Sequence, residues 1–281
     1  MAWQQFRFIA FAVLVLMLMV FPTGPVSAET RSGRGAAERS VIVVGASPAR
    51  AAAIADHAEQ VRRTVYEQLL GDAQPRPWVE RCAIHVHATP AAFAAAVGAP
   101  PAASRGATSL EFAGDRVVSR RIDVMGDGSD VIPDALSHEL VHVVLADRFT
   151  TAAPPRWADE GIALLFDHAD KQAGHEADFR DAWERGLAFS ATDLLTLEVY
   201  PGDIRRQRVF YGQSAALVRW LIARRDAATF IRFVADAQAG DSASAFERHY
   251  DLDRADMAAV FESAWKEVPP IHSLSFNSAK K

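Results

Sequence analysis

Apolar and polar positions change rhythm several times along this chain, and each change marks an element. Phe8 to Phe21 is an unbroken apolar run, whereas residues 29–40 are polar, glycine-containing and without periodicity. Val41–Val44 then reads as a strand. Ser47-Pro48 has the form of an N-cap followed by proline in the first turn. It predicts a helix to about Leu70, in which Ala53, Ile54, His57, Val61, Val65 and Leu69 fall near one face and Gly71 provides the stop. Val79–Val86 reads as a second strand, and Thr89-Pro90 opens a short alanine-rich helix that stops at Gly98. After a loop around Pro100 and Pro101, Ala107–Phe112, the turn Gly114-Asp115 and Arg116–Met125 predict a hairpin, with Val117, Ile122 and Val124 as its apolar positions.

Beyond Val131 the pattern is helix and loop. Helices are expected over Pro133–Phe149, Pro155–Asp167, Ala173–Arg185, Phe210–Arg225, Ala228–Ala237, Ala243–His249 and Arg254–Glu267. Strands early and helices late predict an α+β class, with a small mixed β-sheet and a mostly helical lobe after it. The expected division is residues 1–28 as a signal peptide, 29–40 as a linker, 41–150 as an α/β lobe and 151–281 as a helical lobe.

The first 28 residues carry the expectation of export. Arg7 precedes the apolar run, Pro22, Gly24 and Pro25 follow it, and Val26-Ser27-Ala28 offers a small-residue cleavage site. The run is short for a bilayer span, which takes about 20 residues, so cleavage is favoured over retention as an N-terminal anchor. A periplasmic, cell-surface or secreted setting follows. Cys82 is the single cysteine, so the chain folds without an internal disulfide. The formal charge of −5 speaks against a nucleic-acid partner.

Ser137-His138-Glu139-Leu140-Val141-His142 carries the chemistry. Within a helix, residues four apart share a face, so the His138 and His142 imidazoles can reach one ion. A catalytic zinc usually takes three protein ligands and keeps one position open. A third donor is therefore required from elsewhere, and Pro155–Gly161 contains candidates. Glu139 stands about 100° around the helix from His138, beside the ion rather than on it, where a carboxylate can act as general base toward a water. Leu136, Leu140, Val143, Val144 and Leu145 mark the helix as buried, and two histidines and a glutamate there would be costly without a metal or partners.

This motif, together with Trp157-Ala158-Asp159-Glu160-Gly161-Ile162-Ala163, resembles the gluzincin metallopeptidases of the peptidase MA-like superfamily. The resemblance is specific over residues 133–167. It implies a zincin-like fold, one Zn2+ per chain, Glu160 as the third ligand beside His138 and His142, and hydrolysis of a peptide bond in a peptide or protein substrate with Glu139 as base. It also implies that the first hairpin strand, by position Ala107–Phe112, is a sheet edge along which an extended substrate pairs. Gluzincins often supply an oxyanion donor from the helical lobe. Tyr211, which opens a segment similar to the Y-x-Q-S of such proteins, is the candidate.

Two departures shape the expected activity. The G-x-M-E-N segment of aminopeptidases is absent, since Gly106-Ala107-Thr108-Ser109-Leu110-Glu111 stands there, so an endo- or oligopeptidase is expected. Leu164 stands where thermolysin-like members carry the aspartate that orients a zinc histidine, which leaves Asp159, Asp167 or a backbone carbonyl for that role. His85 and His87 alternate on a strand, and a second metal is not expected there. His168 and His175, with Asp167, Asp170 and Glu176, read as solvated surface, Cys82 as a small buried hydrophobe, and Trp157 as packing for the Glu160 helix. A non-catalytic zinc-binding or docking protein on a peptidase fold is the alternative, and a zinc hydrolase of a non-peptide bond a third option.

Overall fold

The computed structural model describes residues 7–11, 39–98, 104–126, 132–239, 242–252, 261 and 265–266. Five strands are present among them: Arg7–Phe11 (β1), Val41–Val44 (β2), Cys82–His87 (β3), Gly106–Ala113 (β4) and Arg116–Met125 (β5). They form one mixed sheet in the order β1-β4-β5-β3-β2. β2, β3 and β5 run parallel, and β4 and β5 pair as an antiparallel hairpin with a register shift at Glu111/Phe112. β1 lies antiparallel along the outer side of β4, with Phe11 opposite Thr108 and Arg7 opposite Phe112.

The β2–β3 crossover is a long helix, Pro48–Val65 (α1), continued by a wide π turn over Tyr66–Leu70. Ser47 accepts from Arg50 N at its start and Gly71 closes it in the left-handed conformation, so both punctuation marks work as expected. A second short helix, Pro90–Val97 (α2), has Thr89 accepting from Ala92 N and Gly98 left-handed at its end.

The alternation of β3 sets the layers. Cys82, Ile84 and Val86 are buried in the main core, on the side of α1 and of Leu136–Arg148 (α3). His85 and His87 lie on the opposite face under α2, where His87 meets Phe93 edge-on at 6.0 Å. There Asp123 binds His87 Nε2 at 2.7 Å and takes a two-pronged bond from Arg121 at 2.6 and 2.7 Å, so this histidine pair belongs to a structural ion network. Cys82 is fully buried, and burial pushes its thiol up to about 12, as befits a core residue.

The rest is helical: Arg156–Leu165 (α4), Ala169–Glu184 (α5), Ala191–Thr196 (α6), Ile204–Arg224 (α7), Ala227–Ala239 (α8) and Ser242–Tyr250 (α9). The class is thus α+β with a small mixed sheet, as the patterning implied. The hydrophobic core is continuous from Val41 through α3, α4 and α7 to Leu252, so the described residues before and after position 150 pack on one another. Trp157 packs against Phe230 and Phe233 at ring distances of 6.3 and 6.2 Å, which seats α4 on α8.

Several boundaries differ from the sequence reading. α6 was not expected, and α7 begins at Ile204 rather than Phe210, because Asp203 caps it by accepting from Arg205 N and its first turn, Arg205–Arg208, is too polar to show periodicity. Ser40, at the end of the stretch read as linker, is buried. It accepts from Cys82 N at 2.8 Å through its carbonyl and from Trp78 N at 3.2 Å through its hydroxyl. β1 falls within the segment read as a signal peptide, while the remainder of that segment, most of the linker and most of the expected helix Arg254–Glu267 lie outside the described residues. Among the described residues no helix is long and apolar enough to cross a membrane.

Trp78 ties the base of α3 to its surroundings. Its indole lies between the Arg62 and Arg120 guanidiniums at 5.1 and 5.0 Å and donates to Asp147 at 2.6 Å. Asp147 also accepts from Arg120 at 2.5 Å and from the Tyr66 hydroxyl. The C-terminal end of α3 is thereby fixed relative to α1 and β5.

Candidate metal centre

His138 and His142 occupy one face of α3, one helical turn apart, with ring centroids 4.9 Å apart. Their Nδ1 atoms are engaged by carboxylates from the next helix and its exit: Asp167 Oδ2 lies 2.9 Å from His138 Nδ1, and Asp159 Oδ1 lies 3.0 Å from His142 Nδ1. Both contacts leave the Nε2 atoms aimed at the same place. Glu160 Oε2 meets them there, 3.1 Å from His138 Nε2 and 3.9 Å from His142 Nε2. Donor atoms of His138, His142 and Glu160 all lie within 4.8 Å of one another, and all three residues are buried.

The local fold explains this convergence. Pro155 starts α4, its carbonyl accepting from Ala158 N and Asp159 N, and the two acidic side chains that follow face α3 in adjacent positions. Gly161 allows the helix to sit close to α7, since a Cβ there would meet Ser214 O and Val218 Cγ2 at 2.7 Å. Gln172 pins the turn after α4 by donating to Leu165 O and Asp167 O at 3.1 and 2.7 Å, which holds Asp167 fully buried beside His138.

The electrostatics of the site are acidic. Glu139, Asp159, Glu160 and Asp167 are all buried around the two imidazoles, with Lys171 reaching Asp167 Oδ2 at 2.8 Å. Burial alone would depress both histidines, yet Asp167 raises His138 and Asp159 raises His142 well enough to reverse it. Burial likewise opposes ionisation of Glu160, and the two histidines outweigh it and hold this carboxyl below its usual range. Two imidazole nitrogens and one carboxylate oxygen, backed by carboxylates and set in a pocket of negative charge, fit a divalent cation of the zinc type.

Glu139 points to the β4 side. Its Oε2 accepts from the Thr108 hydroxyl at 2.7 Å, and burial raises its pKa above the ordinary glutamate value. Gly106 makes room for it, because a Cβ at that position would lie 2.6 Å from Glu139 Oε1. β4 therefore passes directly beside the carboxylate. Its outer edge is met by β1 in the full chain, so this edge is open only where residues 7–11 are not paired with it.

A cleft of about 890 Å³ opens onto His138, Glu139 and Glu160, and Tyr211, Tyr200, His57, His168 and His175 are among its walls. Tyr211 lies with its ring 6.4 Å from His138 and 5.4 Å from His175. Burial and the nearby Glu160 and Glu139 carboxylates keep its hydroxyl protonated far above the usual phenol range. The residues read as solvated surface divide: His168 and Asp170 are exposed at the cleft rim, His175 is half-buried in its wall, and Asp167 is a buried partner of His138.

Three participants escaped the sequence reading. Tyr200 donates to Glu160 Oε1 from the loop before α7. Thr108 holds Glu139, and His57 reaches across from α1 to pair its Nε2 with the Ser137 hydroxyl at 2.9 Å. His57 was visible as one position on the apolar face of α1, and Thr108 as one polar residue in a strand, with nothing to single either out. An aromatic residue before Pro201-Gly202, close ahead of the Y-x-Q-S segment, was the available signal for Tyr200.

Compared with known proteins, the chain matches no family model, no curated protein and no solved structure. No family membership follows from the motif resemblance, and the geometry above stands on its own.

Proposed function

We propose that this protein is an exported, zinc-dependent peptidase with a zincin-like arrangement, its metal held by His138, His142 and Glu160. The observation that carries the reading is the meeting of two Nε2 atoms and Glu160 Oε2 at one buried point at the foot of a large cleft, with Glu139 beside them. A zinc ion bound there would supply Lewis-acid polarisation of a carbonyl and a lowered pKa for water.

The chain's own groups do the remainder. Glu139, held by Thr108 and raised by burial, takes a proton from the attacking water and delivers it to the leaving amine. The Tyr211 hydroxyl, protonated and facing the cleft, donates to the developing oxyanion. An extended peptide adds antiparallel to β4, as β1 does, which brings its backbone past Glu139. Removal of residues 1–28 on export frees that edge. An internal segment of a peptide or protein fits this route, in keeping with an endo- or oligopeptidase.

The test is incubation of zinc-loaded residues 29–281 and their Glu139→Gln variant with an unbiased peptide mixture, read by mass spectrometry. Cleavage by the wild type alone is expected. Full zinc in both proteins with no cleavage by either would favour a zinc-binding or docking protein on this fold.

A further inference from the structure

The loop Leu197–Asp203, between α6 and α7, is tied down from both sides. Arg156 Nε donates to Glu198 O at 2.7 Å, and Gln207 Nε2 donates to Pro201 O at 2.6 Å. Between those two anchors stands Tyr200. The Arg156 guanidinium lies over its ring at 4.3 Å, Phe210 meets it edge-on at 6.2 Å, and its hydroxyl donates to Glu160 Oε1. Arg156 and Glu160 are four residues apart on α4 and so share a face. One helix thus holds both ends of the same tyrosine, the ring at its first turn and the hydroxyl one turn later.

A glutamate side chain ends in two equivalent oxygens on a freely turning bond, so a carboxylate ligand needs something to decide which oxygen it presents. Here Oε2 faces the two imidazoles while Oε1 is taken by the phenol. We infer that Tyr200 is the positioning residue for Glu160, its hydroxyl reserving one carboxylate oxygen so that only the other is offered to the metal. This rests on the metal-site reading above. It completes a symmetrical support in which each metal-facing side chain has its own partner: Asp167 for His138, Asp159 for His142 and Tyr200 for Glu160. Tyr211 lies beside Tyr200, ring to ring at 6.2 Å with the two side chains hydrogen-bonded, and also lines the cleft.

Tyr200→Phe keeps the ring and the Arg156 stacking and deletes the hydroxyl alone. The full-length wild type, Tyr200→Phe, Tyr211→Phe and Arg156→Gln are compared by zinc dissociation constant from chelator competition and by the visible absorption of the Co2+-substituted proteins. Tyr200→Phe is expected to bind zinc about ten- to a hundredfold more weakly and to shift the Co2+ bands, with the metal-free protein still unfolding cooperatively, at a modestly lower temperature because a buried Glu160 oxygen loses its donor. Arg156→Gln, which removes the stacking and leaves the hydroxyl, moves both readouts the same way by less, and Tyr211→Phe, which leaves the Tyr200–Glu160 bond in place, also moves them less than Tyr200→Phe. Wild-type zinc affinity and an unshifted Co2+ spectrum in Tyr200→Phe would overturn the positioning role while leaving the metal site standing. A wild type that takes up no zinc would overturn the metal site, and this role with it.

Discussion

Asp159 and Glu160, neighbours on α4, reach one histidine from opposite sides: Asp159 Oδ1 lies 3.0 Å from His142 Nδ1, and Glu160 Oε2 lies 3.9 Å from its Nε2. The first contact fixes the tautomer and ring orientation that the second needs. Asp159→Asn keeps the shape and removes the charge, so zinc affinity should fall about ten- to a hundredfold, with Asp167→Asn acting alike through His138. Chelator competition measures both.

Tyr211→Phe should act on turnover and not on metal content. Loss of one oxyanion donor typically lowers kcat by about 10²- to 10³-fold. Zinc stoichiometry measured beside steady-state cleavage separates the two, and unchanged turnover would remove Tyr211 from the chemistry.

The histidine spacing on α3 and the helix punctuation were legible because both are local. Ser47-Pro48 with Gly71, Thr89-Pro90 with Gly98, and the Gly114-Asp115 turn each act within a few residues, and the structure places them as read. The i, i+4 spacing of His138 and His142 is likewise local, and Glu160 came from the resemblance of its segment. What was not legible depends on side chains meeting across the fold. Asp159 and Asp167 stood as open alternatives, and the structure uses both, one per histidine. Tyr200 sits in a loop whose Pro201-Gly202 reads as a turn, so only the tertiary placement of α4 and α7 reveals that its hydroxyl lands on Glu160.

Gly161→Ala tests the close seating of α4 on α7. The added Cβ would meet Ser214 O at 2.7 Å, a backbone atom in mid-helix that can yield only by separating the helices. A loss of about 1–3 kcal/mol in unfolding free energy is expected, measured by urea denaturation of the metal-free protein.

Asp123 should contribute to the acid limit of stability. Burial alone would raise its carboxyl, but hydrogen bonds from Arg121 and His87 outweigh this and hold it below its usual value of 3.8. A depressed folded-state pKa gives stability that is fully present above the unfolded value and is lost as pH falls through the folded one. Unfolding midpoints of the wild type should therefore drop below about pH 4, and Asp123→Asn should flatten that part of the profile while lowering stability at neutral pH.

The most direct measurement of the central claim is a crystal structure of the zinc-loaded protein with anomalous data at the zinc edge. One peak is predicted at about 2.0–2.2 Å from His138 Nε2, His142 Nε2 and one oxygen of Glu160. No peak at that point, or zinc bound with Glu160 turned away from both imidazoles, would contradict the account.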